Sequence, residues 1–210
     1  HLGFSRESLT ELGVDTPDVE HTYHQDAYDE EIRGIIRLVG EYAEKYQTKI
    51  PVVTAGGIYS HEDVMHQIDL GADGVQVATR FVTTVECDAP EEFKQAYIRS
   101  SKEDIVITKS PVGMPGRAIR NSFLDRVKEG LKRPKSCPFD CIKTCDVTHS
   151  PYCIMLALYN AFKGKLQNGY AFCGANAWRA EKIQSVRDLM AALRDEYDNF
   201  SLKEKLFGAR

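Results

Sequence analysis

The sequence predicts an α/β fold followed by a helical, cysteine-rich tail, and three observations carry that reading. Two short apolar runs, residues 50–55 and 74–78, flank a helix-patterned stretch, the strand–helix–strand order of a parallel sheet. The composition is that of a folded chain, with 42% hydrophobic and 28% charged residues over 210 positions. Five of the six cysteines fall between Cys137 and Cys173, after the strand–helix alternation has ended.

Each element follows from local pattern. Residues 1–28 show no sustained period; Gly3, Gly13, Pro17 and many acids predict a long irregular loop. From Asp29 to Tyr46 the positions Ile32, Ile35, Ile36, Val39, Tyr42 and Ala43 recur at three and four, which predicts an amphipathic helix with acids in its first turn. Ile50 to Ala55 is nearly continuous in apolar residues and suits a parallel strand buried on both faces; Gly56-Gly57 ends it. Ser60 and Asp63 stand at capping-box spacing for a helix over 61–70, which stops at Gly71. Gly74 to Ala78 is the second strand and completes a β-α-β unit with a right-handed crossover. A helix over 90–101, an extended segment over 105–108 and a Pro/Gly loop over 110–116 come next. Helices are expected near 121–130, with Asn121 as its N-cap, near 151–163, and over 185–198. The alternation gives way near 105–110, dividing the chain into 1–105 and 106–210.

Charge narrows the partners. Lys plus Arg number 27 and Asp plus Glu 31, a net charge of −4. With no basic run, nucleic acid and anionic membrane are not the expected partners. No run of about 18 apolar residues exists to span a bilayer. The chain carries no secretory marks, so a reducing, cytoplasmic setting is expected, in which clustered thiols mean metal binding, redox chemistry or burial. Cys137, Cys141 and Cys145 are spaced by four and would share a helix face, with Cys153 and Cys173 free to converge on them. Four such thiolates, Cys137, Cys141, Cys145 and Cys153, would suit Zn²⁺ or an iron–sulfur cluster. The spacing is not the C-x₂-C knuckle, and buried apolar thiols or disulfides are the competing readings.

Gly56-Gly57 follows one strand and precedes a helix, where glycine backbone approaches an anion and helix-start N–H groups can donate to it. The second strand ends at Ala78-Thr79, a small residue and a hydroxyl. Adjacent strand ends that offer amides to one phosphate form the phosphate site of (β/α)₈ barrels, after the seventh and eighth strands. The competing reading is a tight turn and nothing more.

IPVVTAGGI, LGADGVQVATRF, CDAPEEFKQAYI and SPVGMPGRAIRN together resemble the nitronate monooxygenase family of FMN enzymes, formerly 2-nitropropane dioxygenases, which includes flavin-dependent enoyl-acyl-carrier-protein reductases. The resemblance covers residues 1–125, and the cysteine-rich tail resembles a bacterial subgroup. It implies the C-terminal part of a (β/α)₈ TIM barrel followed by a mostly helical extension. It also implies an FMN phosphate held around Gly56, Gly57, Ala78 and Thr79, with Gln76 and Val77 near the cofactor. The family usually has glycine at Ala78; a methyl there is tolerable where φ is negative. His1-Leu2-Gly3 matches the end of the family's GGH-x-G turn, which implies that His1 is the active-site acid or base.

The expected activity is FMN-dependent oxidation of a small molecule, an alkyl nitronate, with O₂. The alternatives are an NAD(P)H-dependent reductase of enoyl thioesters and a non-catalytic, metal-stapled interaction module. A barrel of this kind needs eight strands and about 250 residues. Two strands precede residue 81, so the chain is expected to be the back portion of a longer barrel that needs its N-terminal part, with homo-oligomerisation left open. His21 and His24 read as loop residues, His61 and His66 as surface or packing residues. Arg117 and Arg120 would hold a carboxylate, a phosphate or backbone, an ion pair being the simplest outcome.

Overall fold

The computed structural model describes residues 25–108, 110–111, 115–143 and 145–192. Helix α1 (Gln25–Lys45) buries Tyr28, Asp29 and Ile32 and leaves Ile35, Leu38 and Tyr42 exposed. It starts earlier than the sequence pattern suggests, with Gln25–Tyr28 forming its first turn rather than the end of a loop. The cause is polar and tertiary: Gln25 Nε2 donates to Asp29 Oδ1 at 2.6 Å, and the Tyr28 hydroxyl donates to the Ala55 carbonyl at 2.8 Å.

The β-α-β unit forms as expected. Strands β1 (Val53–Ala55) and β2 (Gly74–Gln76) pair in parallel, with Val53 opposite Gly74, Thr54 opposite Val75 and Ala55 opposite Gln76. Helix α2 (His61–Asp69) connects them. Its N-cap is Ser60, and both halves of the capping box with Asp63 are made. β1 is shorter than its apolar run and buries Thr54 while leaving Val53 60% exposed. Burial on both faces is therefore not reached among the described residues, because this sheet contains two strands.

A single helical turn, α3 (Thr79–Val82), follows β2, and α4 (Glu91–Arg99) follows that. After a 3₁₀ turn at Lys102–Asp104, β3 (Ile105–Thr108) pairs antiparallel with β4 (Gly116–Ile119). β4 begins where the sequence suggests only loop. Residue 172 extends this sheet, with Ile119 N–H donating to Ala171 O and Cys173 N–H to Arg117 O, both at 3.0 Å.

Helices α5 (Ser122–Lys128) and α6 (Ile154–Phe162) fall inside their predicted ranges. Asn121 caps α5 through Oδ1 to Leu124 N–H at 3.1 Å. The last helix runs over 186–192 as described, and the remainder of its predicted span lies outside the described residues.

β4 separates two apolar clusters. Successive side chains of a strand point to opposite faces. Ala118 accordingly joins Phe123, Leu124, Tyr152, Ala157 and Tyr170, while Ile119 joins Tyr97, Ala171, Ala177 and Ala180. The same alternation sends Tyr170 and Ala171 to different clusters. Tyr152 and Tyr170 share a 2.8 Å hydroxyl–hydroxyl bond in the first of them, and burial pushes the Tyr152 phenol up to about 12.

The cysteine tail departs from expectation. Residues 137–143 and 145 form no helix, Asp140 takes φ 45°, and the shared face that spacing by four would create is not made. Cys137 and Cys141 are exposed, Cys145 and Cys153 half-buried, and no cluster of His, Cys, Asp or Glu among the described residues could hold a metal. No helix of the described residues is long and apolar enough to cross a membrane.

Candidate functional site

The site is built where the parallel strands end. Because Ala55 pairs with Gln76, Gly56-Gly57 and Val77-Ala78-Thr79 leave the sheet side by side. Gly56 (φ 104°) and Gly57 (φ 71°) both adopt left-handed conformations that a side chain would resist, and they turn the chain toward α2. Ala78 takes φ −121°, so its methyl is accommodated without backbone strain. Gln76 and Ala78 are exposed; Gly56, Gly57, Val77 and Thr79 are half-buried.

A distant segment, residues 174–179, clamps these strand ends. Gly174 N–H donates to Thr79 Oγ1 at 2.9 Å. That bond occupies a lone pair of the hydroxyl and leaves its proton available to an acceptor. Asn176 Nδ2 donates to the Gly57 carbonyl in a short hydrogen bond. Arg179 pairs with Asp63 Oδ2 at 2.9 Å. Three ties therefore reach the first turn, the second turn and the cap of α2.

Asp63 is the electrostatic hinge of the arrangement. Burial raises its carboxyl. The backbone N–H groups of Ser60 and Tyr59, the Ser60 hydroxyl and the Arg179 guanidinium outweigh that and hold it below the usual carboxylate range. Its Oδ2 accepts from Ser60 N–H at 2.7 Å and Tyr59 N–H at 2.9 Å, which fixes the loop that follows Gly57.

Gly56, Gly57, Gln76, Val77, Ala78 and Thr79 are thus brought to one edge of one sheet. His1, His21 and His24 lie outside the described residues. His61 is buried; His66 bonds Asp29 Oδ2 at 2.7 Å, tying α2 to α1. Arg120 makes the ion pair expected of it, with Asp125 at 2.9 Å. Cys173 lies in the second apolar cluster, where burial pushes its thiol up to about 12, and such a thiol is a poor metal ligand or nucleophile. The sequence reading missed Gly174, Asn176 and Arg179. Their partners are 95, 119 and 116 positions away, and no local pattern encodes a contact at that range.

A model of the nitronate monooxygenase family matches residues 20–196. The probable nitronate monooxygenases of Staphylococcus saprophyticus subsp. saprophyticus and Staphylococcus aureus are each 38% identical over 96 residues, 46% of this chain and 26% of theirs. Among solved structures, FabK from Thermotoga maritima superposes with a TM-score of 0.62 at 24% identity, covering 84% of this chain and 50% of that one. Nitroalkane oxidase from Streptomyces ansochromogenes gives 0.56 at 22% identity, covering 86% and 49%. These likenesses show an α/β fold with TIM-barrel-like neighbours. The match spans about a quarter of the curated relatives and about half of the solved ones.

Proposed function

From the premise that the chain belongs to the nitronate monooxygenase family, which includes FMN-dependent oxidoreductases, we propose that it serves FMN-dependent oxidation of an alkyl nitronate with O₂. One observation carries the reading: in the parallel register of β1 and β2, two left-handed glycines stand beside Ala78 and Thr79.

The residues at the strand ends fit a phosphate. Gly56 and Gly57 carry no side chain between the backbone and an anion, and the negative φ of Ala78 keeps the second turn open. The Thr79 hydroxyl accepts from Gly174 N–H and keeps its own proton for a phosphate oxygen. Bound FMN would supply the electron transfer between substrate and O₂. Gly56, Gly57, Ala78 and Thr79 would hold its phosphate, with Gln76 and Val77 beside it. His1, by resemblance, moves a proton at the substrate carbon.

The test uses full-length protein, assayed for bound FMN and then for turnover. O₂ consumption with an alkyl nitronate is the expected result. NAD(P)H oxidation with an enoyl thioester, and none of the first activity, would favour the reductase reading; protein that binds no flavin would overturn both.

A further inference from the structure

Beside the strand ends lies a cleft of about 420 Å³, within the range of small-ligand sites. It shares no lining residue with the positions assigned to FMN. Its floor is Tyr59, whose ring carries two guanidinium groups, Arg80 at 5.3 Å and Arg179 at 5.0 Å from the centroid. Both are held further: Arg80 donates to the Tyr59 carbonyl at 2.8 Å, and Arg179 pairs with Asp63. Planar cations fixed in this way have already lost their rotamer freedom, so an anion that meets them costs little ordering.

The rest of the lining adds charge and a flat apolar wall. Lys182 joins the two arginines and Glu181 opposes them, so cationic side chains outnumber carboxylates in the lining, within a chain of net charge −4. Trp178, 37% exposed, offers an indole to the same space. Three cations select a phosphate, an indole selects a flat ring, and the volume admits about one mononucleotide. We propose that this cleft binds a mononucleotide, its phosphate among Arg80, Arg179 and Lys182 and its base on Trp178. The inference does not depend on which flavin reaction the protein performs.

The experiment is calorimetry on the full-length protein with flavin in place, using AMP, adenosine and inorganic phosphate, with Trp178 emission followed in parallel. AMP is expected to bind one per chain, quench Trp178 and leave the flavin spectrum unchanged. Adenosine and phosphate are each expected to bind at least tenfold more weakly. Trp178→Ala should weaken AMP by roughly tenfold. Lys182→Gln, at an exposed position, should weaken it by about fivefold and reduce its salt dependence. If Trp178→Ala does not fold, Lys182→Gln and the quenching carry the test. No AMP binding at millimolar concentration overturns the proposal. So do phosphate binding as tight as AMP, AMP binding only upon loss of flavin, and affinity that the variants leave unchanged.

Discussion

Thr79 has two roles on one oxygen. It accepts from Gly174 N–H at 2.9 Å and, in the proposed site, would donate its own proton to a phosphate oxygen. Thr79→Val removes both, so full-length protein should bind FMN about tenfold more weakly in a flavin-fluorescence titration, while Thr79→Ser keeps most of the affinity. Equal loss in both variants would mean that the methyl, not the hydroxyl, matters there. At this scale the sequence was informative where the chemistry is local. A glycine pair after an apolar run and a hydroxyl after the next run can be read from neighbours alone, and Gly56, Gly57, Ala78 and Thr79 do meet at one sheet edge. Gly174, Asn176 and Arg179 could not be read, since what gives them meaning is a fold that brings them back across more than ninety positions.

Among the elements, α2 depends on its cap. Asp63 has a folded-state pKa below its ordinary value of 3.8, so it contributes stability above that pH and loses it as pH falls through the lower folded value. Asp63→Asn should cost about 1 kcal/mol at pH 7. In urea titrations, the gap between wild type and variant should persist down to about pH 5 and shrink below about pH 4. A gap independent of pH would assign the cost to packing. Where the 3₁₀ turn at Leu166–Asn168 meets α6, Gly169 is required by space: a Cβ there would clash with the Ala157 carbonyl oxygen and lie 2.9 Å from Ala161 N. Gly169→Ala should lower stability by about 1–3 kcal/mol, seen as a lower urea midpoint. Caps and amphipathic helices were legible because they follow fixed spacings. β4 was not, because Gly116-Arg117-Ala118-Ile119 has a single β-branched residue and acquires strand form from β3 on one side and residues 171–173 on the other. The cysteine spacing misled for the opposite reason: it describes a helix face, and Asp140 at φ 45° interrupts any helix there.

Across the described residues, uncovered apolar surface lies on α1 and β1 and again on α6, where Met155, Leu156, Leu158, Tyr159 and Phe162 are exposed. Ile35, Leu38 and Tyr42 on α1 and Val53 on β1 are each between 48% and 60% exposed, beside a two-stranded sheet with open edges. The chain of 210 residues should therefore self-associate, as measured by sedimentation, and a stable monomer at high concentration would refute this. The three ties from residues 174–179 carry a consequence of a different sort. They fasten the late part of the chain onto two turns formed before residue 80, so the turns and the late segment gain or lose order together. A ligand that stiffened the strand ends would then be felt as reduced breathing around residues 174–179, and loosening that segment would be felt as a weaker grip on the ligand.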